Sequence, residues 1–275
     1  MHFHFDFSAN EILWTLTFAG LLVLLVVLLG RDRARRFPWF TASIIILTLL
    51  ELASHLLLGR MSPLVSSQIF LVMSDIASIV SLLLVVEIAR RSFTGAKRSA
   101  WIIASLTMLA VAAVVLVEWG PWPSRKTLFA ASTLAAMRFM QLFAQKADLA
   151  ADLLFVELGV LVVLFGRRSH AGWRSHAQQI VIGLSTVSIS QLVVRLVWQQ
   201  IAMHTTIHSQ AEYQKVMTLQ SRIYHANNAI YLAALVWWII WLWFDEPGAN
   251  APVDSEQLAV NSEEQPASPD LTTGD

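Results

Sequence analysis

A chain of 275 residues that is 56% hydrophobic and 14% charged cannot clothe itself in a soluble surface, where about 25% of residues are normally charged. Together with a mean hydropathy of +0.59, this excludes a cytosolic enzyme, a nucleic-acid binder and a disordered protein, and points to an all-α polytopic membrane protein. The formal net charge of zero conceals an asymmetry, because residues 245–275 carry eight acids and no Lys or Arg, leaving 19 basic against 11 acidic residues in the remainder.

The chain opens with residues 1–10, MHFHFDFSAN, which lack a basic leader and are expected to be an exterior segment preceding a retained first span. Lipid offers no partner for open backbone groups, so spans are read as helices of about 20 mostly apolar residues. Seven stretches qualify, at about 11–30, 38–59, 65–88, 100–118, 147–166, 178–202 and 222–244. Between the fourth and fifth lies WGPWPSRK and a run with apolar residues at helical spacing, read as an exterior amphipathic helix over about 124–146 that lies on the surface or leads into span five. The polar stretch 203–221 is expected to prolong span six outward. Residues 247–275, rich in Pro, Ser and acids, read as a disordered tail. The membrane unit is therefore 11–246.

Orientation follows the basic residues. With the N-terminus outside, the short loops 31–37, 89–99 and 167–177 hold eleven Lys and Arg against seven in the exterior segments. The C-terminus is then cytoplasmic. Compact loops and the leaderless start suggest a bacterial inner membrane.

Ionisable residues inside spans need a partner or water, since each costs about 2.5–3.5 kcal/mol at mid-helix by insertion assays. At 1.5 Å per residue, Glu51 lies about 12 Å, Asp75 about 15 Å and Arg195 about 11 Å below the outer surface, with His55, His225 and Asn228 about 5–9 Å down. All fall in the outer half. Glu51 and His55 share a face, and Ser67, Ser74, Asp75, Ser78 and Ser81 form a stripe on span three. Span six carries Ser185, Ser188, Gln191, Arg195 and Gln199, and span seven Tyr224, Asn228 and Tyr231. Such stripes turn away from lipid, so the expectation is an outward-facing polar cavity formed by Glu51, His55, Asp75, Arg195, His225 and Asn228. Arg195 is expected to ion-pair with Glu51 or Asp75, or to bind an anionic group. Asp152 and Glu157 lie about 140° apart around span five, so at most one of them should face inward.

Three cofactor readings arise. His204, His208 and Glu212 form H-x3-H-x3-E, which on one helix would align three ligands for a divalent metal. His55 and His225 sit at similar depth and would suit a b-type haem. The seven-span, N-out plan is similar to that of microbial rhodopsins, but residues 222–244 contain no Lys for a retinal Schiff base, so retinal is excluded.

The function expected is a receptor-like sensory module binding a small polar ligand or proton and passing helix shifts to a cytoplasmic signalling partner through the basic loops or acidic tail. The alternatives are a small-solute or proton-coupled transporter, and a haem- or metal-binding membrane subunit. Partners are the lipid bilayer and a further copy of the chain in a homo-oligomer, with no nucleic acid. No catalytic residues are evident.

Overall fold

The computed structural model describes residues 9–57, 60–92, 98–119, 122, 132–165, 175–204 and 209–245. Among these residues there are eight helices and no strand: α1 (Ala9–Gly30), α2 (Arg33–Arg36), α3 (Pro38–Leu57), α4 (Pro63–Ser92), α5 (Arg98–Glu118), α6 (Thr133–Phe165), α7 (His176–His204) and α8 (Gln210–Trp243). Five helices (α1, α3, α4, α7 and α8) are long and apolar enough to cross a membrane. Those five are fewer than the seven expected spans. The apolar stretch of α5, Ile103–Glu118, is shorter, and α6 interrupts its apolar run with Asp148, Asp152 and Glu157.

Six long helices close into a ring. In order around it, α1 packs on α3, α3 on α4, α4 on α6, α6 on α7, α7 on α8, and α8 back on α1. The fifth helix stands outside the ring against α6. Met108 and Ala112 are buried against the bundle, while Ile103, Leu106, Leu109, Val114 and Val117 are all strongly exposed. Lys146 of α6 fastens the end of α5 by donating from Nζ to the carbonyls of Leu116 (3.1 Å) and Trp119, with the Trp122 ring 4.4 Å away. A cation is favoured there because the last carbonyls of a helix lack intrahelical partners.

One helix limit settles an alternative left open by the sequence, and another differs from the expectation. Residues 133–146, the part of the amphipathic segment that is described, run without a break into α6, so the segment leads into that helix rather than forming one of its own. Of the polar stretch 203–221, residues 210–221 belong to α8 and not to α7. Ser209 caps α8, its side chain accepting from the Glu212 amide at 3.2 Å. The pattern S-Q-A-E is the sequence form of a capping box, and it starts a new helix where continued polarity had suggested an extension. Residues 1–8, 123–131 and 246–275, including the acidic tail, lie outside the described residues.

The ring is packed unequally along its length. The largest fully buried side chains include Leu24, Leu28, Phe37, Phe40, Ile44, Leu84, Ile88, Leu158, Ile180, Leu235 and Trp238. They come from the late part of α1, α4, α6 and α8 and the early part of α3 and α7, so they fill the end of the ring that bears Arg33. Helices in lipid gain little from hydrophobicity alone and associate through close packing of small residues. Gly159 lets α6 meet α7, since a Cβ there would lie 2.5 Å from the Ser185 Cβ.

The same end carries a tertiary helix cap. Pro38 opens α3, and the Glu87 carboxylate of α4 accepts from the amides of Trp39 (3.0 Å) and Phe40 (3.1 Å). Arg91 stands 3.7 Å from the other carboxylate oxygen. The buried acid thus satisfies two of the orphan donors that begin any helix and sits at the favourable pole of its dipole. Replacing Glu87 with Ala should lower stability by about 2 kcal/mol, with Gln restoring part of the loss. Equal unfolding midpoints of the wild-type and Ala proteins in detergent would refute the cap.

A second tie closes this end. Arg33 bonds Asp245 at 2.7 Å and the Phe244 carbonyl at 3.4 Å, and His176 Nε2 lies 3.0 Å from the same carbonyl. The start of α7 and the end of α8 are thereby joined to the link between α1 and α3.

Candidate functional site

Above the apolar plug the ring encloses a cavity of about 370 Å³ to which all six ring helices contribute. Its floor is apolar, formed by Leu21, Phe40, Ile44, Phe155 and Trp238, with Phe40 and Trp238 meeting edge to face at 5.3 Å. Its walls are polar. Glu51 and Ser43 come from α3, Ser81 from α4, Asp148 and Asp152 from α6, Ser188, Gln191 and Arg195 from α7, and Asn227, Asn228 and Tyr231 from α8.

Three of the six residues expected to form a cavity line this one: Glu51, Arg195 and Asn228. The other three do not. His55 is exposed and stacks on Trp14 of α1 at 4.1 Å, with the rings 17° apart. His225 is half-buried next to Tyr224. Asp75 sits just behind the wall, close enough to interact with Asp148, and its buried Oδ1 has no hydrogen-bond partner among the described residues.

Arg195 does not pair with Glu51 or Asp75. Its Nη2 lies 3.3 Å from Asp152 Oδ2, and its Nη1 donates to the Gln145 carbonyl at 3.4 Å. Packing α6 directly against α7 explains the choice, because Asp152 is on the neighbouring helix. Asp152 also takes a hydrogen bond from Ser188. Glu157 is on another side of α6, outside the cavity lining, and neither of its buried oxygens has a partner among the described residues.

Sequence reasoning overlooked Asp148. It accepts from Ser78 across the α4–α6 contact at 2.5 Å, and Ser78 also bonds the Ser74 carbonyl. The signal was present: Asp148 and Asp152 are four residues apart and so share a helix face. Asn227, whose Oδ1 accepts from Ser190 at 2.8 Å, fixes α8 against α7.

Of the candidate metal ligands, the two that are described, His204 and Glu212, do not line the cavity. His204 is the last residue of α7, Glu212 is in the first turn of α8, and His208 lies outside the described residues. Among the described residues no group of three or more His, Asp or Glu side chains is arranged to hold a metal ion. For haem, neither His55 nor His225 lines the cavity. Lys215 falls within α8 but is exposed near its start, well above the cavity.

Comparison with family models, curated proteins and solved structures returns no match.

Proposed function

We propose that the chain is a seven-span membrane protein, N-terminus outside and C-terminus in the cytoplasm of a bacterial inner membrane, that binds a small polar molecule from outside as a receptor-like module. In this reading α5 and α6 also cross the bilayer. The three carboxylates of α6 are then sheltered from lipid, two of them by facing the cavity. The observation that supports the reading best is the division of the ring into a polar cavity at one end and a tight apolar plug at the other. A vessel closed at one end suits capture of a ligand better than its passage. Walls of converging polar groups over an apolar floor are what small-molecule sites generally offer.

The cysteine-free sequence gives a clean test. Asn228→Cys should react with a membrane-impermeant thiol reagent added to the outside of intact cells. Leu196→Cys, exposed on the outside of the ring, should not. Equal labelling of both, or labelling of Asn228→Cys from the inside alone, would defeat the outward-facing cavity. Reconstituted vesicles then separate sensing from transport, since a receptor binds its ligand without flux.

A further inference from the structure

The cavity wall is electrostatically unbalanced. It presents three carboxylates, Glu51, Asp148 and Asp152, against a single cation, Arg195. The guanidinium is already engaged by Asp152 and by a backbone carbonyl of α6. No Lys, Arg or His forms an ion pair with Glu51 or Asp148 among the described residues. Arg195 is near enough to act on Asp148 but pairs with Asp152 instead, so two partly buried carboxylates have no ion-pair partner of their own, and a bound cation would relieve that cost.

A second observation points to the same occupant. Tyr231 lines the cavity, and its buried hydroxyl has no hydrogen-bond partner among the described residues. Its ring, with that of Phe155, presents aromatic surface to the same space as the carboxylates. Aromatic faces attract cations, and most effectively those whose charge is weakly hydrated. A compact metal ion would instead need several oxygen ligands gathered at one point, and the described residues show no such group. The volume of about 370 Å³ also lies within the range of small-molecule pockets and far exceeds one bare ion.

We propose that the cavity takes a small organic ammonium ion, with its charge held by Glu51 and Asp148, its alkyl groups against Tyr231 and Phe155, and any hydroxyl it carries meeting the Tyr231 hydroxyl. Arg195 stays locked on Asp152 and serves the wall rather than the ligand. The inference rests on the cavity being the binding site, as proposed above.

Choline is a suitable probe, compared with tetramethylammonium, with the uncharged analogue in which carbon replaces the quaternary nitrogen, and with acetate. Equilibrium binding to the full chain in lipid nanodiscs should be saturable for both cations and absent for the analogue and the anion. Glu51→Gln and Asp148→Asn should each weaken choline about tenfold or more. Tyr231→Phe removes only a hydroxyl that no described residue hydrogen-bonds, so it should fold. It should weaken choline severalfold and leave tetramethylammonium unchanged. Binding of the uncharged analogue as tight as choline, cation binding indifferent to both carboxylate variants, equal loss of both cations in Tyr231→Phe, or no cation binding at all would overturn the proposal. Saturable acetate binding that is lost in Arg195→Gln would overturn the cation class while leaving the cavity as a binding site. The thiol-labelling result reports on the cavity independently of every probe.

Discussion

Gly183→Ala is expected to destabilise the protein by about 3 kcal/mol, the upper part of the range for overpacking a core. The added methyl carbon would lie 2.2 Å from Trp238 Nε1 and 2.6 Å from its Cε2. The indole cannot easily retreat, because it is 2% exposed and wedged edge-on against Phe40. The helix pair α7–α8 must therefore separate, and with it the seal between cavity and plug. Thermal or SDS unfolding in detergent measures the loss. The diagnostic is the double variant Gly183→Ala/Trp238→Leu, which should recover stability relative to Gly183→Ala because the ring that collides is gone. If the two single losses simply add, the clash is not the cause.

Arg195→Ala is expected to cost a similar amount, about 3 kcal/mol, at the low end of values for breaking a buried ion pair because this one borders a cavity. Side-chain exposure is 30% for Arg195 and 15% for Asp152, so water screens the pair only in part. The loss arises mainly from what is left behind: Asp152 keeps the Ser188 hydroxyl but no counter-charge, beside Asp148. Removing the acid as well, in Arg195→Ala/Asp152→Asn, should regain most of the stability. Unfolding curves that show no such recovery would mean that Arg195 acts through packing of its stem and not through its charge.

The parts of the architecture legible in sequence were those governed by one-dimensional signals. Apolar runs located the long helices within a few residues, as with α1 and α3, because the length of a span is set by the bilayer. Polar stripes pointed Glu51, Ser188, Gln191, Arg195 and Asn228 toward one space, and all five line the cavity. Depth and a shared helix face placed His55, Asp75 and His225 with them, but a face covers a wide arc and its edge can turn away from the cavity. His55 turns instead to Trp14, one helix away. Which helices are neighbours was also hidden, so the partner of Arg195 was sought on α3 and α4 when it lay on α6. The exclusion of α5 from the ring leaves no mark in its sequence, since a helix against lipid and a helix against apolar neighbours look alike.

The plug end has a mechanical consequence. His176 begins the helix that carries Arg195 about 29 Å further on, and its ring meets the carbonyl of Phe244, the residue that caps the end of α8. A tilt of α7 produced at the cavity must either break that junction or drag the final turn of α8 with it. Arg33 also holds Asp245 at the same spot, so such a lever would pull on the link between α1 and α3 as well.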